Sequence, residues 1–118
     1  AVESALRDYT RPDVLHNNAL LRSRVVTERA GRTGGDAARI AALRGLIKEA
    51  GEQMRELPKE NKLYRAVYHT YIQPAATQEQ VAELLDIPFS TYRRHLKSGM
   101  ARIAEILWQA EVGALENG

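Results

Sequence analysis

Between Ile40 and Leu57 the residues Ile40, Leu43, Ile47, Ala50, Met54 and Leu57 recur at steps of 3, 4, 3, 4 and 3. Only an α-helix gathers residues at that spacing onto one side, because a strand alternates every second position. The pattern predicts a single amphipathic helix over Ala37–Leu57, about six turns long. Its far side carries Arg39, Arg44, Lys48, Glu49, Glu52, Arg55 and Glu56. One seam of this kind has to be covered by other helices, and no other part of the chain reads as a strand. The same seam has a second reading as a dimerisation coil, but a sustained coiled coil wants more heptads and cleaner flanking charges.

The remaining helices follow from their breaks. A short helix is expected within residues 1–9, and Thr10-Arg11-Pro12-Asp13 reads as the start of the next, with Thr10 as cap. Asn17-Asn18 interrupts before a run over Ala19–Ala30, which Gly31 closes. Arg32-Thr33-Gly34-Gly35 reads as a loop and Asp36 as the cap of the long helix. Pro58 limits that helix; Lys59–Ile72 follows, with Leu63, Val67 and Tyr71 inward and Tyr64 or Tyr68 on the flank. After the break at Gln73-Pro74-Ala75-Ala76, Thr77-Gln78-Glu79-Gln80 has the form of a capping box opening a helix to Leu85 that buries Val81, Leu84 and Leu85. Ser90 then caps a last helix, with Tyr92, Leu96, Gly99, Ile103 and Leu107 on one side, and residues 111–118 are expected to fray.

Function is written most densely in Gln78–Lys97, QEQVAELLDIPFSTYRRHLK. Two helices crossing steeply at short range need an apolar residue followed by a small one, and Val81-Ala82 provides that pair. Their turn accepts a left-handed residue and then an apolar plug, the places of Asp86 and Ile87. A cap, an inward residue and a second one four positions later complete the pattern at Ser90, Tyr92 and Leu96. In order, these features read as a helix-turn-helix. The chain is then expected to be all-α, a helical bundle of five or six helices ending in a trihelical helix-turn-helix. Residues 1–58 would be helical buttress or linker, 59–110 the DNA-binding unit, and 111–118 the tail.

This segment resembles the helix-turn-helix of bacterial sigma-factor region-four domains and LuxR-type regulators. There a Thr-Gln-Glu-Gln-like start, here Thr77–Gln80, leads to a recognition helix like Ser90-Thr91-Tyr92-Arg93-Arg94-His95-Leu96. Ile87–Leu96 is also similar to a segment near the C-terminus of some large bacterial nucleotide-binding signalling ATPases. The resemblance covers about residues 60–108, with Lys62–Ile72 as the first helix of the unit, and does not extend into residues 1–59. Asp86 stands where the group usually has Gly, and Pro88 and Phe89 are unusual in the turn. What the resemblance implies is double-stranded DNA as partner, in transcriptional regulation or as the DNA-targeting end of a larger bacterial protein.

Charge agrees with that expectation locally rather than globally. The 118 residues carry a net charge of only +2, and residues 77–118 hold four basic side chains against six acidic ones. Yet those four, Arg93, Arg94, Lys97 and Arg102, lie within ten positions with no acid among them. Base contacts are expected from Thr91, Arg93 and Arg94, since Arg bonds guanine O6 and N7 bidentately. Phosphate contacts are expected from Thr77, Gln78, Ser90, Lys97 and Arg102. The alternative is a solvated or protein-facing strip, and with it a protein–protein interaction module of helix-turn-helix shape that leaves DNA alone; a structural or oligomerisation domain is a third reading.

Other functions find little footing. His16, His69 and His95 lack metal-ligand spacing, and Gly31–Asp36 lacks the Gly-Lys-Ser/Thr ending of a phosphate loop. Glu49/Glu52 and Glu56/Glu60 read as surface pairs on helices, so no enzyme, cofactor or metal is expected. The absence of Cys excludes disulfides and suits a reducing, cytoplasmic setting. No apolar run spans a membrane. The opening Ala-Val-Glu-Ser, without an initiator Met, is the expectation for a processed chain or a piece of a longer one. Homodimerisation or tethering to that longer polypeptide is expected, because one helix-turn-helix makes few base contacts.

Overall fold

The computed structural model describes residues 2–31, 33–75 and 77–117, without the side chain of Asn117. Arg32 of the expected loop, Ala76 of the expected break and Gly118 of the expected tail lie outside the described residues. Among the described residues there are seven α-helices and no strand: α1 (Val2–Arg7), α2 (Pro12–Leu15), α3 (Arg24–Ala30), α4 (Asp36–Arg55), α5 (Pro58–Val67), α6 (Gln78–Leu85) and α7 (Phe89–Asn117). A 3-10 turn, Ala19–Arg22, precedes α3, and a π-helical turn, Tyr68–Ile72, extends α5. The all-α expectation holds; the count exceeds five or six.

The surplus comes from side chains that compete with the helix for backbone groups. Asn18 Oδ1 accepts from Leu20 N at 2.9 Å and Ser23 Oγ accepts from Val26 N, so the expected run Ala19–Ala30 is split at an extended Ser23. Gly31 ends α3 with φ +89°, as a glycine at that position does. Three expected caps move by one or two residues. Arg11 rather than Thr10 precedes α2, and Gly35 rather than Asp36 precedes α4, leaving Asp36 in the first turn to face the helix dipole. Ser90 does not cap α7: Tyr92 N donates to Pro88 O, so Ser90 already lies inside the first turn.

The long seam is buried in α4 from Ile40 to Met54, joined by Ala42, Leu46 and Gly51. Leu57 falls beyond the helix end and is half exposed. α7 is the spine of the molecule: 29 residues at a rise of about 1.5 Å each match the 45 Å long dimension. It packs most extensively on α5 and also on α4, α3 and α1. Tyr92, Leu96, Gly99, Ile103 and Leu107 form its buried side as expected. Two glycines permit the closest approaches. A methyl group on Gly51 would sit 2.2 Å from the Tyr64 ring of α5, and one on Gly99 would sit 2.7 Å from the Leu63 carbonyl oxygen and 2.8 Å from Val67. Tyr64, expected on the flank, is therefore buried, and Leu63 is only partly so.

Residues 111–117 do not fray; they continue α7. Ala114 is buried, and the Glu111 carboxylate accepts from Arg24 N at 3.1 Å and Val25 N at 3.0 Å. A side chain 87 positions away thus satisfies two of the orphan amides that open α3. A tail that caps another helix has a reason to stay folded.

Two substitutions test this packing. Gly99→Ala, which in an open helix would gain about 1 kcal/mol, is expected instead to destabilise by about 1–3 kcal/mol because the carbonyl it meets has no room to move. Glu111→Ala is expected to cost about 0.5–2 kcal/mol, the range for losing a helix cap. Urea denaturation monitored by circular dichroism measures both, and an unchanged midpoint for either contradicts the corresponding contact.

Candidate nucleic-acid interface

The α6–turn–α7 segment is shaped first by its backbone. Thr77 Oγ1 accepts from Gln80 N at 3.1 Å and starts α6. At the other end Asp86 adopts the left-handed conformation, φ 56° and ψ 48°, and is the positive-φ residue other than glycine among those described. Ile87 N reaches back to Ala82 O at 3.1 Å and Asp86 N to Glu83 O at 3.0 Å, which closes the helix and reverses the chain. Asp tolerates this region better than most residues because its short polar side chain bonds locally.

Packing then sets the rotation of each helix. Val81 and Ala82 are buried while Leu84 is 57% exposed, against the expectation that it faces inward. With about 100° per residue, Leu84 points well over 90° from the direction shared by Val81, Ala82 and Leu85. α7 is held by Tyr92, whose ring is fully buried and whose hydroxyl lies 2.6 Å from Thr70 Oγ1. Thr70 gives its own proton to Ala66 O at 2.6 Å, so Tyr92 is the donor to Thr70. Burial pushes the Tyr92 phenol pKa up, and the bond to Thr70 opposes that in part. Phe89 leans on Tyr92, ring centres 5.8 Å apart, and stays largely exposed.

With Tyr92 and Leu96 inward, the same turn angle sends Ser90, Arg93, Arg94 and Lys97 to one outward sector about 100° wide. All four are exposed. Arg93 Nη1 donates to Gln78 Oε1 at 2.6 Å, tying the first turn of α6 to the outer face of α7. Arg94 Nη2 donates to Thr91 Oγ1 at 3.4 Å. Lys97 has no ion-pair partner among the described residues. Thr77 is exposed beside Gln78, with its hydroxyl oxygen engaged in the α6 cap. Arg93, Arg94, Lys97, Ser90 and Gln78 are thus brought to one surface.

Arg102 and Thr91 are not. Arg102 lies roughly 140° around α7 from Lys97, with only 28% of its side chain exposed. Its guanidinium bonds Glu60 of α5 at 3.0 Å and Glu105 at 3.1 Å. The Arg102 guanidinium, expected at phosphate, is here engaged by these two carboxylates. Thr91 turns to the same flank and is half-buried. Sequence reading missed Lys62, which α5 brings near His95; its charge, after burial and together with Arg94, lowers the His95 pKa. Only the α5–α7 packing pairs those positions, so no linear pattern signals it. α6 itself adds Glu79 and Glu83 and no base.

Among the described residues, no helix is long and apolar enough to cross a membrane, and no cluster of three His, Cys, Asp or Glu residues gathers to hold a metal. No protein-family model, curated protein or solved structure matches the chain.

The depressed His95 pKa has a sign that can be measured. The unfolded chain takes up a proton near 6.5 and the folded one only at lower pH. Stability is therefore full above that value and declines as pH falls through the folded pKa. His95→Gln is expected to flatten the stability–pH curve in this interval, measured as urea midpoints from pH 7 down to 5; an equally steep curve overturns the assignment.

Proposed function

We propose that the chain binds double-stranded DNA through α6 and α7 acting as a helix-turn-helix, α7 entering the major groove by its N-terminal half. The observation that carries the reading is the single outward sector of Ser90, Arg93, Arg94 and Lys97, held in place by the bond from Arg93 to Gln78. A helix with two guanidinium groups on its leading face suits guanine O6 and N7. Lys97, Ser90, Thr77 and Gln78 suit backbone phosphate. Arg93 and Arg94 carry base readout in this proposal; Thr91 and Arg102 leave the contact set. The unit acts as a reader rather than an enzyme, in transcriptional regulation or as the DNA-targeting end of a larger protein. Useful affinity comes from a second copy or from tethering, since one such unit covers few base pairs.

A protein partner is the second reading, and exposed Leu84 and Phe89 favour it. They flank the turn as apolar side chains for which a phosphate surface has no use. Salt separates the two. Each cation that neutralises a phosphate contributes about −0.9 to the log–log slope of affinity against salt, so Lys97 gives duplex DNA a slope of about −1. Arg93→Ala is expected to cost about 1–3 kcal/mol and to relax preference at one base pair. Arg102→Gln is expected to leave slope and preference unchanged. Fluorescence anisotropy on oligonucleotides selected from a random pool gives all three; a flat salt response assigns the surface to a protein partner.

A further inference from the structure

A separate cleft of about 650 Å³ opens between α4, α5, the π-helical turn and the segment after α1. It shares no residue with the proposed DNA-reading face. Three of the five tyrosines of the chain, Tyr9, Tyr64 and Tyr68, converge on it, with His69 beside them. Tyr64 forms a buried floor, and the bare backbone of Gly51 lets its ring lie flush with α4. The other three rings are only partly buried and line the cleft. Tyr68 and His69 meet edge to face with centres 5.0 Å apart, and Tyr64 and Tyr68 lie 6.0 Å apart. Together they make a corner of aromatic surface.

The π-helical turn is what forms this corner. Gln73 N bonds Tyr68 O at 2.8 Å across the widened turn, and Tyr68 OH returns a bond to Gln73 Oε1 at 2.5 Å. Such turns are rare and concentrate at functional sites, because the widened ring re-aims the side chains it carries. The rim is cationic. Lys48 and Arg65 have no ion-pair partner among the described residues, and Arg55 shares its charge with Glu52 at 3.3 Å. Beneath Tyr9, the Arg44 guanidinium lies 5.6 Å from the ring centre, with its Nε buried and unpartnered. Stacking faces next to unpaired cations suit a ligand that is aromatic at one end and anionic at the other.

We propose that this cleft binds a nucleotide unit, its base stacked on the Tyr68 ring with Tyr9 and His69 bordering it, and its phosphate held by Lys48 and Arg65. A lone phosphate leaves the rings unused, and a nucleoside leaves the two cations unpaired. The volume lies within the range of small-ligand sites. Asn61 on the wall offers paired donor and acceptor to a base edge. The same chemistry has two sources, a free nucleotide or one unit of a single strand.

Calorimetric titration of the whole chain with adenosine monophosphate, adenosine and inorganic phosphate tests the proposal. The monophosphate is expected to bind one to one, and adenosine and phosphate each at least about tenfold more weakly, the loss of one good contact set. Lys48→Gln with Arg65→Gln, both at exposed positions, is expected to weaken the monophosphate about tenfold or more without moving the melting midpoint. Tyr68→Leu should do so as well. Arg93→Ala should leave this affinity unchanged, so failure of DNA reading and failure of this site are told apart. A single-stranded oligonucleotide that binds more tightly than the monophosphate names the strand as source; equal or weaker binding names the free nucleotide. No heat with the monophosphate, phosphate binding as tightly as the monophosphate, or indifference to the double variant overturns the proposal.

Discussion

The crossing of α5 and α7 at Gly99 is the contact on which the rest depends. Lacking a side chain, Gly99 lets the α7 backbone come against the Leu63 carbonyl and the Val67 methyl groups. That depth of approach brings Tyr92 within hydrogen-bond reach of Thr70 and seats Leu96 and Ile103 in the core. Interiors pack at the density of organic crystals, so a helix seated this closely has little rotational freedom. Fixing the rotation of α7 fixes its outer face as well. The cationic sector is a consequence of how the opposite side is buried.

Arg102 shows what that rotation decides. It stands in the same charge run as Arg93, Arg94 and Lys97, and by sequence it belongs with them. Five residues beyond Lys97 it has turned toward α5, where Glu60 waits. A run of like charge along a helix is spread around its circumference, so its members meet different surroundings. Glu60 and Arg102 are 42 positions apart and give no local sign of their pairing.

The N-terminal helices are more than a cover for the α4 seam. α3 is held at its start by Glu111 of α7 and along its length by the ion pair between Arg29 and Glu49 of α4. Arg39 of α4 reaches Leu21 O at 2.7 Å and Thr27 Oγ1 at 2.9 Å, closing the 3-10 turn onto α3. One end of α7 therefore carries the outward cations while the other is clamped by the first thirty residues. The cleft between α4 and α5 lies against the same α5 that seats Gly99, so both surfaces of interest share one rigid element.

Periodicity is a local property, and what depends on it was legible in the residues themselves. The seam of α4, the inward series from Tyr92 to Leu107, the Thr77 cap and the left-handed Asp86 are all set by steric rules spanning a few positions. Tertiary structure alone decided the rest. The exposed Leu84, the buried Tyr64, the diverted Arg102, the helical tail anchored by Glu111 and the gathering of Tyr9, Tyr64 and Tyr68 each require groups distant in sequence to meet. Which of two neighbouring apolar residues is covered, or which of four cations is neutralised, is settled by the shape of the neighbouring helix, and a one-dimensional pattern carries no record of that shape.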